Sequence, residues 1–236
     1  MTQEDTTAIE APMNRRALAK AERRQTLIDA TIDSIAEFGL SGTTMARVTE
    51  LAGTSIGLAN FYFENKERLF EAVLLHLADI EMTAWQDHLA KAPKTPADQL
   101  VALIDARFHP RVCNPRTLAV WFAFWGDAGA RSIYRRVVEA TDDARLAVTV
   151  ALIEHLTTGQ DKVPNNAEQT ALGLEAFYDG LWLNLLLYPE DFRRVDCRAR
   201  AVQHVAALFP AHFNSLQTLR KHAGQEPFAK DVTRGP

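Results

Sequence analysis

The stretch TTMARVTELAGTSIGLANFYFENK, residues 43–66, decides the fold. It reads as two short helices joined by a tight turn, followed at once by the start of a third. Thr43 or Thr44 can cap the first, because a hydroxyl there satisfies a backbone N–H that a helix start leaves unpaired. Val48, Leu51 and Ala52 recur at helical spacing and give that helix one apolar face. Gly53 supplies the left-handed backbone that ends a helix at little steric cost. Ser55 caps the second helix, which carries Ile56, Gly57, Ala59, Asn60 and Phe61, and Asn65 caps the third. A helix, a turn of about four residues containing Gly and a second short helix make a helix-turn-helix, whose second helix enters the DNA major groove.

The segment AGTSIGLANFYFENK resembles the AGVSxGxLYxHFxxK signature of the TetR family, and most closely that of its choline-sensing, BetI-like branch. Gly53, Ser55, Gly57, Tyr62, Phe63 and Lys66 match. Thr54 stands where Val is usual, Ala59 where Leu or Ile is usual, and Asn60 where Tyr is common. The first two departures leave the helix pairing less apolar. The third falls on a base-facing position and alters the expected operator. The resemblance implies an all-α regulator with a helix-turn-helix DNA-binding domain at residues 14–66 and a ligand-binding and dimerisation domain at 67–210. It places Thr44, Ser55, Ile56, Gly57, Asn60, Phe61, Tyr62 and Lys66 at operator DNA, with Tyr62 and Lys66 on phosphates. Asn60 can bond adenine N6 and N7 together.

Composition narrows the alternatives. At 236 residues and 47% hydrophobic, the chain can bury a sizeable core. No uncharged apolar run approaches about 20 residues, so no membrane span is expected, and the acidic, polar opening MTQEDTTAIEAPM is unlike a secretory signal. Two cysteines, Cys113 and Cys197, indicate no disulfide framework and suit a reducing cytoplasm. With a net charge of −4, any DNA contact must come from a local patch. Such a patch lies ahead of the helix-turn-helix in NRRALAKAERRQ, where Arg15, Arg16, Lys20, Arg23 and Arg24 face one acid, Glu22. It reads as an arm meeting phosphates, which adds affinity without sequence information.

Residues 1–13 carry little periodicity and read as disordered. Leu27, Ile28, Thr31, Ile32, Ile35 and Phe38 form an amphipathic helix ending at Gly39, which would back the helix-turn-helix. From Lys66, Leu69, Val73, Leu77, Ile80 and Ala84 continue one apolar face to about residue 90, making that helix the natural link between the two halves. Further helices are expected near 96–109, 115–127, 131–158, 166–188 and 196–209, set apart by proline and glycine. The tail, 211–236, is mixed, with a short helix near 211–222.

AEQTALGLEAFYDGLWLNLLLYP is apolar nearly all round, so that helix must be buried from two directions, by a ligand cavity or by a partner subunit. The resemblance favours a homodimer built from this helix and the next. Leu174, Leu181, Leu185, Val202 and Val205 are the expected interface residues.

Trp121 and Trp125 lie at i, i+4, as do Tyr178 and Trp182, with Asp179 beside them. Both fragments resemble BetI-type segments. Rings attract a quaternary ammonium through their quadrupoles, and a carboxylate adds a counter-charge. The alternatives are plain core or a pocket for an apolar ligand. The seven histidines are scattered, and Ser55 has no His–Asp set near it. Asp142 and Asp143 read as a solvated helix surface, and no phosphate-cradling Gly loop occurs. No enzyme activity, cofactor or metal site is expected. The reading is a cytoplasmic homodimeric regulator that releases a palindromic operator on binding a small molecule, choline or another quaternary ammonium. A regulator without a small-molecule inducer and a small-molecule-binding protein with vestigial DNA binding are the other readings.

Overall fold

The computed structural model describes residues 15–158 and 166–213, and those residues fold into helices alone. In chain order they are α1 (Arg15–Gly42), α2 (Met45–Leu51), α3 (Ile56–Phe63), α4 (Lys66–Lys91), α5 (Pro96–Arg107), α6 (Pro115–Gly126), α7 (Arg131–Thr157), α8 (Ala167–Leu187), α9 (Arg194–Leu208) and α10 (Pro210–Phe213). No described helix is long and apolar enough to cross a membrane. The expectations for residues 1–13 and for the tail beyond Phe213 fall outside the described residues.

The helix-turn-helix forms for the local reasons its sequence gives. Gly39 takes φ 69°, which interrupts α1, and the Thr43 hydroxyl donates to its carbonyl at 2.8 Å. Thr44 caps α2 by accepting from the Arg47 N–H, Ser55 caps α3 from Leu58, and Asn65 caps α4 from Arg68. Each such cap stabilises its helix by about 0.5–2 kcal/mol. Gly53, at φ 61°, turns the chain between α2 and α3. Leu27, Ile28, Ile32 and Ile35 of α1 close over Val48, Ala59 and Phe63, all buried.

Two expectations about basic residues change. The Arg15–Arg24 cluster is the first part of α1 and is helical; it is not a separate arm. Lys20 and Arg24 lie over the rings of Phe61 and Phe63 at 5.8 and 5.1 Å, so this basic run stands directly beside α3. The Lys66 ammonium has partners within the protomer. Its Nζ turns inward and donates to the carbonyls of Thr43 at 2.9 Å and Leu40 at 3.2 Å, holding the α1–α2 turn against α4.

The second half packs α4, α5, α7 and α8 together, with α9 closing on α5 and α8. It joins the first half twice. The link expected from the sequence is α4, continuous with the helix-turn-helix. The other is α6, which packs directly on α1: Arg116 in its first turn pairs with Asp33 and donates to the Asp29 carbonyl at 2.8 Å.

The expected dimer residues are corrected as well. Leu174, Leu181, Leu185, Val202 and Val205 are between 0 and 9% exposed within the single chain, enclosed by its own core. They have no surface left to offer a partner. Helix α8 is indeed covered from more than one side, but its outward apolar residues are others, Leu172, Leu183 and Leu187 among them.

Replacing Lys66 with alanine should lower folding stability by about 1–3 kcal/mol, the usual worth of hydrogen bonds from a charged donor. Chemical denaturation reads this directly; an unchanged midpoint, with only DNA affinity reduced, would return Lys66 to the phosphate role.

Candidate functional site

Two surfaces carry chemistry. The first is the outer face of α3, where Ser55, Ile56, Gly57, Asn60 and Phe61 are all exposed, Phe61 at 70%. Ala59 and Phe63 point the other way into the core, so helical periodicity alone divides the helix into a packing side and a reading side. A Cβ on Gly57 would meet only the Ser55 hydroxyl oxygen, at 3.9 Å, so the protomer's packing does not demand glycine there. Tyr62 is half-buried, edge-on to Phe61 with ring centroids 5.3 Å apart. Thr44 is exposed at the start of α2, and Arg15, Arg16, Lys20 and Arg24 are exposed along the first turns of α1.

The second is a partly open cavity of about 190 Å³ lined by residues of α4, α5, α6, α7 and α8. Trp121 and Trp125 of α6 and Asp179 and Trp182 of α8 all line it, so the two faces picked out by sequence spacing do meet. Tyr178 does not join them. It is buried next to that row of α8 without lining the cavity, edge-on to Phe108 at 6.3 Å. A fourth ring comes instead from Tyr134 of α7, which stands edge-on to Trp121 and Trp125 at 6.0 and 6.1 Å.

The floor of the cavity is ionic. Arg107 of α5, 6% exposed, bonds Glu81 of α4 at 2.5 Å and Asp179 of α8, and lies 3.8 Å from Glu175. Its guanidinium also covers the Trp182 ring at 3.9 Å. Arg145 of α7 pairs with Glu175, with Asp142 at 3.1 Å and with Glu81 at 3.4 Å. Asp142 accepts a further bond from the Tyr134 hydroxyl at 3.0 Å. Asp142 is therefore no solvated surface acid; it sits in the cavity wall, with exposed Asp143 at the rim. Two guanidiniums thus face four carboxylates, Glu81, Asp142, Glu175 and Asp179.

Electrostatics sorts these carboxyls. Burial pushes Asp142 above the ordinary aspartate value despite Arg145, and pushes Asp179 up despite Arg107. Burial also opposes ionisation of Glu175, but Arg107 and Arg145 overcome it and hold Glu175 below its usual value. Burial disfavours the charge on Arg107, yet Glu81, Glu175 and Asp179 more than restore it. Asp142 and Asp179 are therefore the carboxyls that take up a proton most readily, and Glu175 is held ionised.

Glu81, Arg107, Tyr134, Asp142, Arg145 and Glu175 escaped the sequence reading. One signal pointed to some of them: Glu81, Arg107 and Arg145 interrupt otherwise apolar helical faces, where a charge is rarely buried unless paired. Arg107→Met should destabilise the fold by about 3–5 kcal/mol, because it leaves buried carboxylates without their partner. Denaturant unfolding measures this, and a loss under about 1 kcal/mol would refute the pairing as a structural element.

Comparison with known proteins covers both halves of the chain. Residues 27–73 match the model of bacterial regulatory proteins of the tetR family, and residues 96–210 match that of the BetI-type transcriptional repressor C-terminal domain. The HTH-type transcriptional regulator BetI of Burkholderia thailandensis is 36% identical over 163 residues, which is 68% of this chain and 80% of that protein. A solved transcriptional regulator of Pseudomonas aeruginosa PAO1 superposes with a TM-score of 0.70 at 26% identity, over 82% of this chain and 93% of that one. A regulator of Saccharomonospora viridis, solved in complex with choline, shares the fold at a TM-score of 0.67 and 16% identity, over 79% of this chain and 96% of that one. With its helix-turn-helix and its cavity-bearing helical half both matched, the chain belongs to the TetR family, as a DNA-binding transcriptional regulator of the BetI type.

Proposed function

We propose that this regulator is a repressor whose effector is a small organic cation, held in the cavity against Trp121, Trp125 and Tyr134. The carrying observation is the charge balance: four carboxylates to two guanidiniums inside a wall of rings. Such a site favours a cation that cannot donate hydrogen bonds, because ring faces attract it without asking for an acceptor. Arg107 seated on Trp182 is a cation already accommodated there by the chain itself. That contact moves the expected counter-charge. Asp179 is bound closely by Arg107, whereas Asp142 meets Arg145 at the longer distance of 3.1 Å and stands beside Tyr134, so Asp142 is the carboxylate this reading assigns to the effector. The Saccharomonospora viridis regulator, with the same fold, is solved in complex with choline, which supports this reading.

Regulators of this family bind operator DNA and ligands and function as dimers. On this reading the operator is a palindrome read by two copies of α3, since one such helix reads few bases and two held about 34 Å apart read both halves. The dimer face is the outer stripe of α8 formed by Leu172, Ala176, Gly180, Leu183 and Leu187, all exposed. An effector shifts operator affinity only by binding one arrangement of the dimer more tightly than another. Helix α6 carries two of the rings and touches α1 through Arg116, and α4 carries Glu81 and runs into the helix-turn-helix; both connect the cavity to the reading face.

Tryptophan fluorescence titrated with choline and with its uncharged isostere 3,3-dimethylbutanol tests the effector class. Choline should bind at least tenfold more tightly, release the operator in a gel shift, and lose most of this advantage in Asp142→Asn. Equal affinities for the two compounds would discard the cation. Acidification should also weaken choline binding: a carboxyl with a raised pKa takes up its proton at a higher pH than an ordinary aspartate, removing the counter-charge. Flat affinity down to pH 4 would count against Asp142.

Asn60→Ala should relax preference at one base pair by about 1–3 kcal/mol while leaving binding to random DNA unchanged. Equal losses on operator and random DNA would remove Asn60 from base readout.

A further inference from the structure

The cavity is only partly closed, and exposed lining residues of α8 stand beside the stripe assigned above to the dimer. Leu172 belongs to both: it lines the cavity and is 50% exposed. Asp179 also lines the cavity, and its side chain is 37% exposed. On the helix surface Asp179 is the i+3 neighbour of Ala176 and the i−4 neighbour of Leu183, while Leu172 is i−4 from Ala176. The cavity rim and the outward stripe are therefore adjoining rows of one helix.

The stripe has the form of a surface that meets its own copy. Its middle, Ala176 and Gly180, is small, and larger leucines stand on either side. A Cβ built on Gly180 would meet nothing within 4 Å, so the protomer gains no packing from glycine there. Glycine inside a helix costs stability relative to alanine; a second backbone crossing closely at this point gives that cost a physical purpose. A two-fold interface sets the same patch against itself, and an apolar row with a small centre is self-complementary where a row of like charges would not be. Operator reading by paired α3 helices needs that second copy too.

We propose that a second copy of this chain, seated on the exposed stripe of α8, closes the mouth of the cavity, so that the effector site is complete only in the dimer. The inference rests on the α8 dimer face of the proposed function. Closing the mouth removes water from between the effector and the acids and rings that hold it, which strengthens each of those contacts. Dimerisation and effector binding then become linked, and each strengthens the other by the same factor.

Three of the four tryptophans, Trp121, Trp125 and Trp182, line the cavity, so quenching of intrinsic fluorescence by acrylamide reports whether the mouth is open. Leu183→Glu places a charge on the stripe without touching the cavity lining. The variant should sediment as a monomer with unchanged helical content, its quenching constant should rise at least twofold, and its half-saturating choline concentration at least tenfold. Wild-type protein diluted until it dissociates should show the same rise in quenching, which keeps the test valid if Leu183→Glu fails to fold. Monomers with the quenching and choline binding of the dimer would overturn the proposal, as would a folded Leu183→Glu variant that remains dimeric. If quenching rises on dissociation while choline has no effect on any form, the closed mouth stands and the effector belongs to another chemical class.

Discussion

Two guanidiniums in an otherwise apolar helical core constrain everything around them. A buried charge is tolerated only where partners replace the water it has lost, and Arg107 and Arg145 find theirs on α4, α7 and α8. Once those four carboxylates are drawn in, the helices that bear them are fixed relative to one another. The aromatic rings follow, because Trp182 lies beneath Arg107 and Tyr134 is tied to Asp142. The cavity is the space this arrangement cannot fill: side chains committed to ion pairs cannot also pack as a dense apolar core. Shape and charge of the candidate effector site thus have one origin.

Much of this was legible along the chain, and the boundary of legibility has a physical cause. Caps act over three residues, so Thr44, Ser55 and Asn65 announce their helices from sequence alone. Periodicity acts over a turn or two, so it places Trp121 and Trp125 on one face of α6. The ion pairs act across 26 residues from Glu81 to Arg107 and 72 from Arg107 to Asp179, and no local pattern carries such distances. Tyr178 illustrates the limit. It shares a helical face with Trp182 by spacing, yet the cavity touches only the edge of that face, where Glu175, Asp179 and Trp182 stand.

The same limit governs α8 as a whole. Its composition predicts burial from several directions but cannot say which leucine meets which neighbour. Leu174, Leu181 and Leu185 turn out to serve the protomer core, and Leu183 and Leu187 remain outside. Lys66 teaches the complementary lesson. A family motif records that a lysine belongs at the start of α4, but only the fold reveals that its ammonium spans to the carbonyls of Leu40 and Thr43. A residue that supports a reading surface and a residue that touches DNA leave the same mark in a sequence.

Helices α2 and α3 contribute nothing to the cavity walls, and α6, α7 and α8 contribute nothing to the outer face of α3. The cavity walls and the outer face of α3 are therefore built from separate residues, joined among the described residues through α1, α4 and α6. Drift or deliberate redesign can rewrite one without editing the other. Under the proposed function, exchanging the rings and acids of the cavity would retune what the molecule senses while its genomic address stays the same, and exchanging Asn60 and its neighbours would move the address while the sensor is kept. The architecture is in this respect a socket and a plug on a common shaft.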